Sequence, residues 1–487
     1  MGLVTPVDPV PVGELGKVHF VAIGGAGMSG IARIMMARGV SVSGSDSTAS
    51  ALTDSLAAAG ARVSIGHDAA NIGDADTLVV STAIRADNPE LAEARRRGLR
   101  VLHRAAALAS VMLGQQGIAV AGTHGKTTTT SMITTVLLHC GADPSYVIGG
   151  ILAETGLGAA EGGGDAIVVE ADESDGSFLM LAPSAAVVTS VEADHLDNYE
   201  SLAQIEAAFG RFAGKLADGG LLLVSADDPG ARALTGAVPP SVTALRYGAS
   251  ADADYRTGDI RVRGMRTEFT VTGGPGTVLA GAGPVQLEIA VPGRHNALNA
   301  TAAFALCVQL GVSVADAVAG LAAYRGAKRR LELKGEADGV QVIDSYAHHP
   351  TELAADLAAA REIAAGGRVI AVFQPHLFSR TRIFATEFGA ALGQADEVVV
   401  LDIYAAREDP EPGVTGRLVA DAVPGGLVPG GSAPGGAAVF APDKAAVPGI
   451  VAGLAKPGDL VLTMGAGDVT TLGPLIVAAL ADRAAGL

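Results

Sequence analysis

The stretch AVAGTHGKTTTTSMITTVLLHC, residues 119–140, decides how the rest of the chain is read. An apolar run, Ile118–Ala121, stops at Gly122-Thr123-His124-Gly125-Lys126-Thr127-Thr128, and a helix-like stretch follows. Backbone N–H groups in such a turn, backed by a helix N-terminus, cradle phosphates, and Lys126 is placed to reach the β- and γ-phosphates. Thr127 is placed to ligate Mg²⁺. The ordinary phosphate loop also has a glycine at the position of Val120. This loop is therefore shorter, but every chemical part is present. A threonine-rich turn that merely caps a helix is the plainer alternative, and it leaves Gly-Lys-Thr-Thr at a strand end unexplained.

Working back toward the N-terminus, a second glycine loop follows the apolar run VHFVAI, 18–23. It reads Gly24-Gly25-Ala26-Gly27-Met28-Ser29-Gly30 and contains Gly-x-Gly-x-x-Gly. Such a loop makes a tight turn, lets backbone approach a pyrophosphate, and aims a helix N-terminus at its charge. Asp46 ends the next strand, where a ribose hydroxyl is often read. Taken alone this indicates a dinucleotide such as NAD, and an NAD-dependent oxidoreductase stays open on that ground. A nucleotide-sugar suits the same device, and glycines serving only close helix packing are the third reading. Two anion loops in one chain suggest two separate nucleotides. A dehydrogenase does not need the second loop, and a plain ATPase does not need the first.

Working forward, two acidic clusters end successive apolar runs. AIVVE delivers Glu170-Ala171-Asp172-Glu173-Ser174-Asp175, and AAVVTSV delivers Glu192-Ala193-Asp194-His195. Carboxylates at strand ends beside a phosphate loop suit Mg²⁺, and two ions bridging phosphates and an attacking oxygen are consistent with both clusters. Further on come PGRHNALN (292–299), GAKRRLE (326–332), DSYAHHP (344–350) and QPHLFSRTR (374–382). The histidine spacing fits no standard zinc pattern. Arg and His near strand ends suit carboxylate or phosphate.

The whole chain sets limits on these readings. Its 487 residues correspond to about three domains. A composition of 49% hydrophobic and 17% charged residues is that of a globular protein. A net charge of −17 argues against a nucleic-acid partner, which requires clustered Lys and Arg. The two cysteines, Cys140 and Cys307, exclude a disulfide framework and fit a reducing cytoplasm. No apolar run approaches the about 20 residues of a membrane helix. The N-terminal MGLVTPVDPVPVGELG lacks the features of a signal peptide and is expected to be a flexible proline-rich tail. Short apolar runs alternating with helix-like stretches predict parallel α/β sheets. A β-rich insert is expected near 255–271, one helical segment at 296–323, and a surface loop at 423–436.

These motifs together resemble the Mur ligases, which build the peptide of bacterial peptidoglycan. The resemblance covers nearly the whole chain and rests on GGAGMSGIA, SGSD, AGTHGKTTTT, VVEADESDGSF, EADHLDNY, PGRHNALNA, GAKRRLE, YAHHPTE, QPHLFSRTR and MGAGD. It implies an α/β fold in three domains. These are a Rossmann-like UDP-binding domain (1–112), a central P-loop-type ATP-binding domain (113–326) and a Rossmann-like C-terminal domain for the amino acid (327–487). It also implies ATP-dependent joining of L-alanine to the lactyl carboxylate of UDP-N-acetylmuramate through an acyl phosphate, with ATP and Mg²⁺ as cofactors. A related muramyl-peptide ligase with a different amino donor stays open. A folylpolyglutamate-type ligase shares the ATP device but lacks the first loop. The implied partners are those two small molecules, with no nucleic acid and no membrane, as a monomer or a dimer in the cytoplasm.

Residue by residue, the resemblance assigns ATP to Gly122, Thr123, His124, Gly125, Lys126, Thr127 and Thr128, with His295, Asn296, Arg330 and Asp344. Metal would fall to Thr127, Glu170 and His195. The UDP moiety would fall to Gly25, Ala26, Gly27, Met28, Ser29, Ser45 and Asp46, with His67, Ser81 and Asn88. Tyr346, His348 and Arg380 would lie near the alanine and the substrate carboxylate, and Lys126, Glu170, His195, His348 and Arg380 form the expected catalytic set. Three positions depart from the family pattern. Ser345 replaces the second residue of Asp-Asp-Tyr, so Asp344 or Ser345 must meet the ribose. Leu377 stands where many relatives carry Arg, and Ser190 where Asn is frequent. The first lysine after His195 is Lys215, too far along to serve as the carbamylated lysine of later family members.

Overall fold

The computed structural model describes residues 3–195, 198–406, 408–425 and 438–486. Three sheets organise it. The first contains β1 (Val18–Val21), β2 (Val42–Asp46), β3 (Arg62–Ile65), β4 (Thr77–Val80) and β5 (Arg100–His103), ordered β3-β2-β1-β4-β5 with every pair parallel. The chain order reverses between β1 and β4. In such sheets ligands bind beyond the strand carboxyl ends at that reversal, and the first glycine loop leaves β1 there.

The second sheet contains β6 (Gln116–Ala121), β7 (Ser145–Val147), β8 (Ala159–Ala160), β9 (Ala166–Glu170), β10 (Ala185–Val188), β11 (Leu221–Ser225), β12 (Thr243–Gly248), β13 (Tyr255–Arg263), β14 (Arg266–Gly273) and β15 (Val285–Ile289). Its order is β15-β14-β13-β12-β11-β10-β6-β9-β7-β8, so β6 lies between β10 and β9, parallel to both. The phosphate loop and both acidic clusters therefore leave three adjacent strands at one edge. The third sheet contains β16 (Glu332–Ala337), β17 (Val340–Ser345), β18 (Val369–Phe373), β19 (Glu397–Val400), β20 (Ala438–Phe440) and β21 (Leu460–Met464), ordered β16-β17-β21-β18-β19-β20. Only β16 runs antiparallel there. Central strands such as β18 and β21 are buried at every position, as parallel strands covered on both faces require.

The chain divides into two compact units. One comprises residues 1–258, 270–287 and 298–325, and the other 259–269, 288–297 and 326–487. In the first unit one apolar core runs without interruption from the first sheet into the second. Ile31, Met35 and Val111 join Val147, Phe178, Phe209 and Phe212 in it. Phe178 stacks on Phe212 at 5.0 Å. The last glycine of the first loop, Gly30, serves this packing: a Cβ there would lie 2.9 Å from the Ala159 side chain and 3.2 Å from Val147.

Several sequence expectations need correction. The proline-rich N-terminal segment lies against the first unit and is not a loose tail. Val4 N–H donates to the Asp175 carbonyl at 2.9 Å, Val10 N–H to Ser110 Oγ at 3.3 Å, and Val4, Val10 and Val12 pack on the core. Spaced valines supply the apolar contacts, and proline restricts the unfolded segment, so ordering it costs less entropy. The expected helical segment at 296–323 is two helices, Arg294–Gln309 and Val314–Ala323, with Ser313 capping the second through the Asp316 N–H. Strands β5, β7, β8 and β12 and the pairing strand β16 carried no clear sequence signal. The expected loop at 423–436 falls largely on residues 426–437, outside the described residues. Both cysteines are free. Among the described residues no helix is long and apolar enough to cross a membrane.

Candidate active site

The phosphate loop is built by two glycines that nothing else could replace. Gly122 has φ +134°, and a Cβ there would collide with Thr189 Oγ1. Gly125 has φ +79° at the cap of helix Lys126–His139, and its Cβ would lie 2.8 Å from Asn299 Oδ1. The strand neighbouring β6 pins the loop. Thr123 N–H donates to the Ser190 carbonyl at 2.9 Å, His124 N–H to Ser190 Oγ at 3.1 Å, and Glu192 N–H to Thr123 Oγ1 at 2.9 Å. The threonine-rich helix that follows is buried from Thr127 to Leu137. Some of its hydroxyls bond within the helix, Thr130 to the Lys126 carbonyl at 2.8 Å and Thr134 to the Thr130 carbonyl at 2.8 Å, while those of Thr129 and Ser131 are buried without a partner among the described residues.

Lys126 is the charged centre. Its Nζ donates to the Thr123 carbonyl at 3.2 Å and to Glu173 Oε1 at 2.8 Å. Burial works against its charge, but Glu173, Asp172 and Glu170 outweigh that and hold the ammonium above its ordinary range. Glu173 is buried, and burial pushes its carboxyl up despite Lys126. Its other oxygen, Oε2, is buried without a hydrogen-bond partner. Glu170, at the end of β9, accepts the Gly149 N–H at 2.9 Å. His195 has φ +54° and places Nε2 3.7 Å from Glu173 Oε1 and 3.6 Å from Asp194 Oδ2. Lys126, Glu173 and His195 are thus brought together, with the Glu170 carboxylate acting on the ammonium. The Thr127 hydroxyl, the Glu170 carboxylate and the unpartnered Glu173 oxygen are hard oxygen donors of the kind Mg²⁺ prefers, so their chemistry suits that ion.

The acidic loop is also held from the first sheet. Arg104 forms an ion pair with Asp172 through Nη2. A Cβ on Gly27 of the first loop would lie 3.4 Å from Arg104 Nη1, so one guanidinium stands between the two loops. Asp175 accepts the Thr82 hydroxyl at 3.2 Å and faces His103 Nε2 at 3.4 Å.

In the first loop, Gly25 caps helix Ala26–Ala37 with no side-chain bond, leaving the turn Ala26–Ser29 to backbone chemistry. Asp46 does not simply face outward. Its Oδ2 accepts the Gly24 N–H at 2.9 Å and fixes the turn. Ser45 is fully buried, with His67 Nδ1 at 3.0 Å. Asn88 caps helix Pro89–Arg97 through the Glu90 and Leu91 N–H groups, and Ser81 lies just past β4.

In the second unit, Asp344 is fully buried and accepts the hydroxyls of Thr463 at 2.6 Å and Thr470 at 2.7 Å, with Arg329 Nε at 3.5 Å. The Ser345 hydroxyl donates to Asp356. Both residues offered for the ribose are therefore engaged inside the domain. Burial raises the Asp356 carboxyl to about 7. His295 Nε2 lies 3.7 Å from Asp356, and burial lowers that imidazole to about 4. Asn296 Nδ2 donates to the Pro292 carbonyl at 2.7 Å. The Arg329 and Arg330 guanidinium groups lie 4.8 Å and 5.4 Å from the centre of the Tyr346 ring. His348 meets Tyr346 edge-on at 5.2 Å and His376 at 6.1 Å. Leu377 has φ +71°, and Arg380 is buried on the helix that follows.

Sequence reasoning missed Glu90, Arg104, Glu173 as the partner of Lys126, and Asp356. Glu173 stood within a noted cluster. Glu90 and Asp356 read as ordinary helix-surface acids, and their burial is invisible without the fold.

Three family models match in chain order: the Mur ligase family catalytic domain at residues 17–116, the Mur ligase middle domain at 120–307, and the Mur ligase glutamate ligase domain at 329–467. The UDP-N-acetylmuramate–L-alanine ligase of Thermobifida fusca is 56% identical over 99% of this chain and 100% of the relative. That of Kineococcus radiotolerans is 54% identical over 97% and 98%. The crystal structure of the UDP-N-acetylmuramate–alanine ligase from Thermotoga maritima superposes with a TM-score of 0.78 at 28% identity, covering 95% of this chain and 98% of that one. With family models in sequence along the chain and relatives above half identity over almost all of it, the chain belongs to the Mur ligase family.

Proposed function

We propose that this chain joins L-alanine to the lactyl carboxylate of UDP-N-acetylmuramate, consuming ATP and releasing ADP and phosphate, in the synthesis of peptidoglycan precursor. The supporting observation is a largely enclosed ammonium, Lys126, in a phosphate loop beside strand-end carboxylates. An oxidoreductase has no use for that set, and membership of a ligase family removes that alternative.

The carboxylate oxygen of the sugar attacks the γ-phosphorus of ATP, the bond to the ADP oxygen breaks, and an acyl phosphate forms. The amine of alanine then attacks the acyl carbon, phosphate departs with the C–O electron pair, and the amine loses a proton. The first step brings anion to anion. Lys126 would turn from Glu173 toward the phosphates and offset that repulsion in the transition state. Thr127, Glu170 and His195 would hold Mg²⁺, which would supply further positive charge against the phosphates. His295, Asn296 and Arg330 would hold the nucleotide base and phosphates. Asp344 would contribute through its neighbours, since its carboxylate is enclosed by Thr463 and Thr470. Tyr346, His348 and Arg380 would receive the amino acid and the substrate carboxylate. The glycine loop after β1, with Ser45, Asp46, His67, Ser81 and Asn88, would hold the UDP moiety. Free thiols and the use of ATP support a cytoplasmic setting for the reaction. The test is phosphate release with UDP-N-acetylmuramate, comparing L-alanine, glycine and a tripeptide. Release with L-alanine is the expected result, and release with only the tripeptide overturns the choice of amino donor.

A further inference from the structure

Behind the carboxyl edge of the first sheet lies a buried acid that the roles above leave unused. Glu90 sits in the first turn of helix Pro89–Arg97 and is fully buried. Its Oε2 accepts the Ser45 hydroxyl at 2.6 Å and faces His19 Nε2 at 3.3 Å. Its Oε1 accepts Asn71 Nδ2 at 2.8 Å and the Asp68 N–H at 3.2 Å. His67 Nδ1 lies 3.0 Å from Ser45 Oγ and 3.6 Å from Glu90 Oε1. Burial pushes the Glu90 carboxyl up, but the bonds from His19, Ser45 and Asn71 outweigh it and hold it at about 2.

These contacts dictate where the protons are. An ionised carboxylate only accepts, and a serine hydroxyl has one proton to give. Ser45 gives that proton to Glu90, so towards His67 its oxygen can only accept. His67 Nδ1 must then carry the hydrogen, and in the neutral ring Nε2 is left as an acceptor. Glu90 and Ser45 are enclosed, while the His67 side chain is 24% exposed, so His67 is the member of the relay that a ligand can reach. A pyrophosphate offers only acceptors and is a poor match for that nitrogen. The nucleoside offers donors, and in sheets of this order it lies at the end of the second strand, where Ser45 stands.

We propose that Glu90 is a positioning residue of the nucleoside site. Acting through Ser45, it sets the His67 tautomer so that Nε2 accepts a hydrogen bond from the uracil imide N–H or a ribose hydroxyl. The inference rests on the reading that the first glycine loop holds the UDP moiety.

Nitrogen-15 NMR of histidine-labelled full-length protein, with the His67 signal identified by its loss in His67→Gln, reads the tautomer without any ligand. Nδ1–H is expected, and Nε2–H overturns the relay. Calorimetry with UDP then compares the parent with Ser45→Ala and Glu90→Gln. Glutamine has one acceptor oxygen where Glu90 uses two, so each variant is expected to bind UDP about tenfold more weakly. For Glu90→Gln under saturating substrates, kcat and the KM for ATP are expected to stay unchanged. Parent-like UDP binding by both variants overturns the proposal, as does a loss confined to kcat. If the parent itself fails to bind UDP, the reading of the first loop falls, whereas the tautomer result stands apart from it. With 2′-deoxy-UDP and N3-methyl-UDP, weaker binding of one analogue to the parent identifies the donor. Undiminished binding of both overturns the contact.

Discussion

The two glycine loops of the first unit use the same backbone device for different ends. The loop Gly24–Gly30 brings no charge of its own. Its turn is fixed by Asp46, its helix N-terminus has no side-chain cap, and its last glycine is spent on packing against Ala159 and Val147. The loop Gly122–Thr128 carries Lys126 and faces three carboxylates. The first is built to hold and the second to stabilise changing charge. Arg104 links the first loop to the acidic loop, ion-paired with Asp172 and close to Gly27.

Removing the charge of the second loop should break this contrast most sharply. Lys126→Ala is expected to lower turnover by about a thousandfold, measured as phosphate release, while calorimetry finds UDP binding intact. Near-normal turnover would remove Lys126 from the chemistry, and loss of UDP binding would show that the two loops are not separable.

A smaller effect is expected from crowding the first loop. Gly30→Val places new atoms where a Cβ already lies 2.9 Å from Ala159. Overpacking of this kind costs about 1–3 kcal/mol, read from denaturant unfolding. UDP affinity should fall more than ATP affinity. An equal loss of both would make Gly30 a general packing residue with no special tie to its own loop.

The smallest expected effect lies in the sign of two pH dependences. Glu90 is held at about 2 against an ordinary 4.5. Its contribution to stability is full above about pH 4.5 and is lost as the pH falls towards 2. Glu173 is pushed up by burial. Its contribution is present below the ordinary carboxylate range and fades as the pH rises above it. The stability gap between the parent and Glu90→Gln should therefore shrink in acid, while that for Glu173→Gln should shift in the opposite sense. Parallel profiles in denaturant titrations would mean that the two buried acids sit in equivalent environments.

What could be read in the sequence was local. Apolar runs of strand length, glycines at strand ends and the residues that follow them specify βα units, because strand burial and tight turns depend on near neighbours. Gly122–Thr128, Glu170 and His195 could be named on that basis, and so could the parallel strands at the centre of each sheet. Partners far apart in the chain were decided by the tertiary structure alone. Glu90 meets Ser45 and His67 only because β2 and helix Pro89–Arg97 converge on one sheet edge. Glu173 meets Lys126 because β9 lies beside β6. Asp344 looked like a ribose ligand until β21 and its following turn supplied Thr463 and Thr470 to enclose it. The proline-rich N-terminal segment read as loose because its own residues form no regular element, and its order comes from the Asp175 carbonyl and the core it covers. Burial is a property of the assembled sheets. The sequence could specify which groups carry charge, but not which of those charges would be shut away from water and so forced to act on one another.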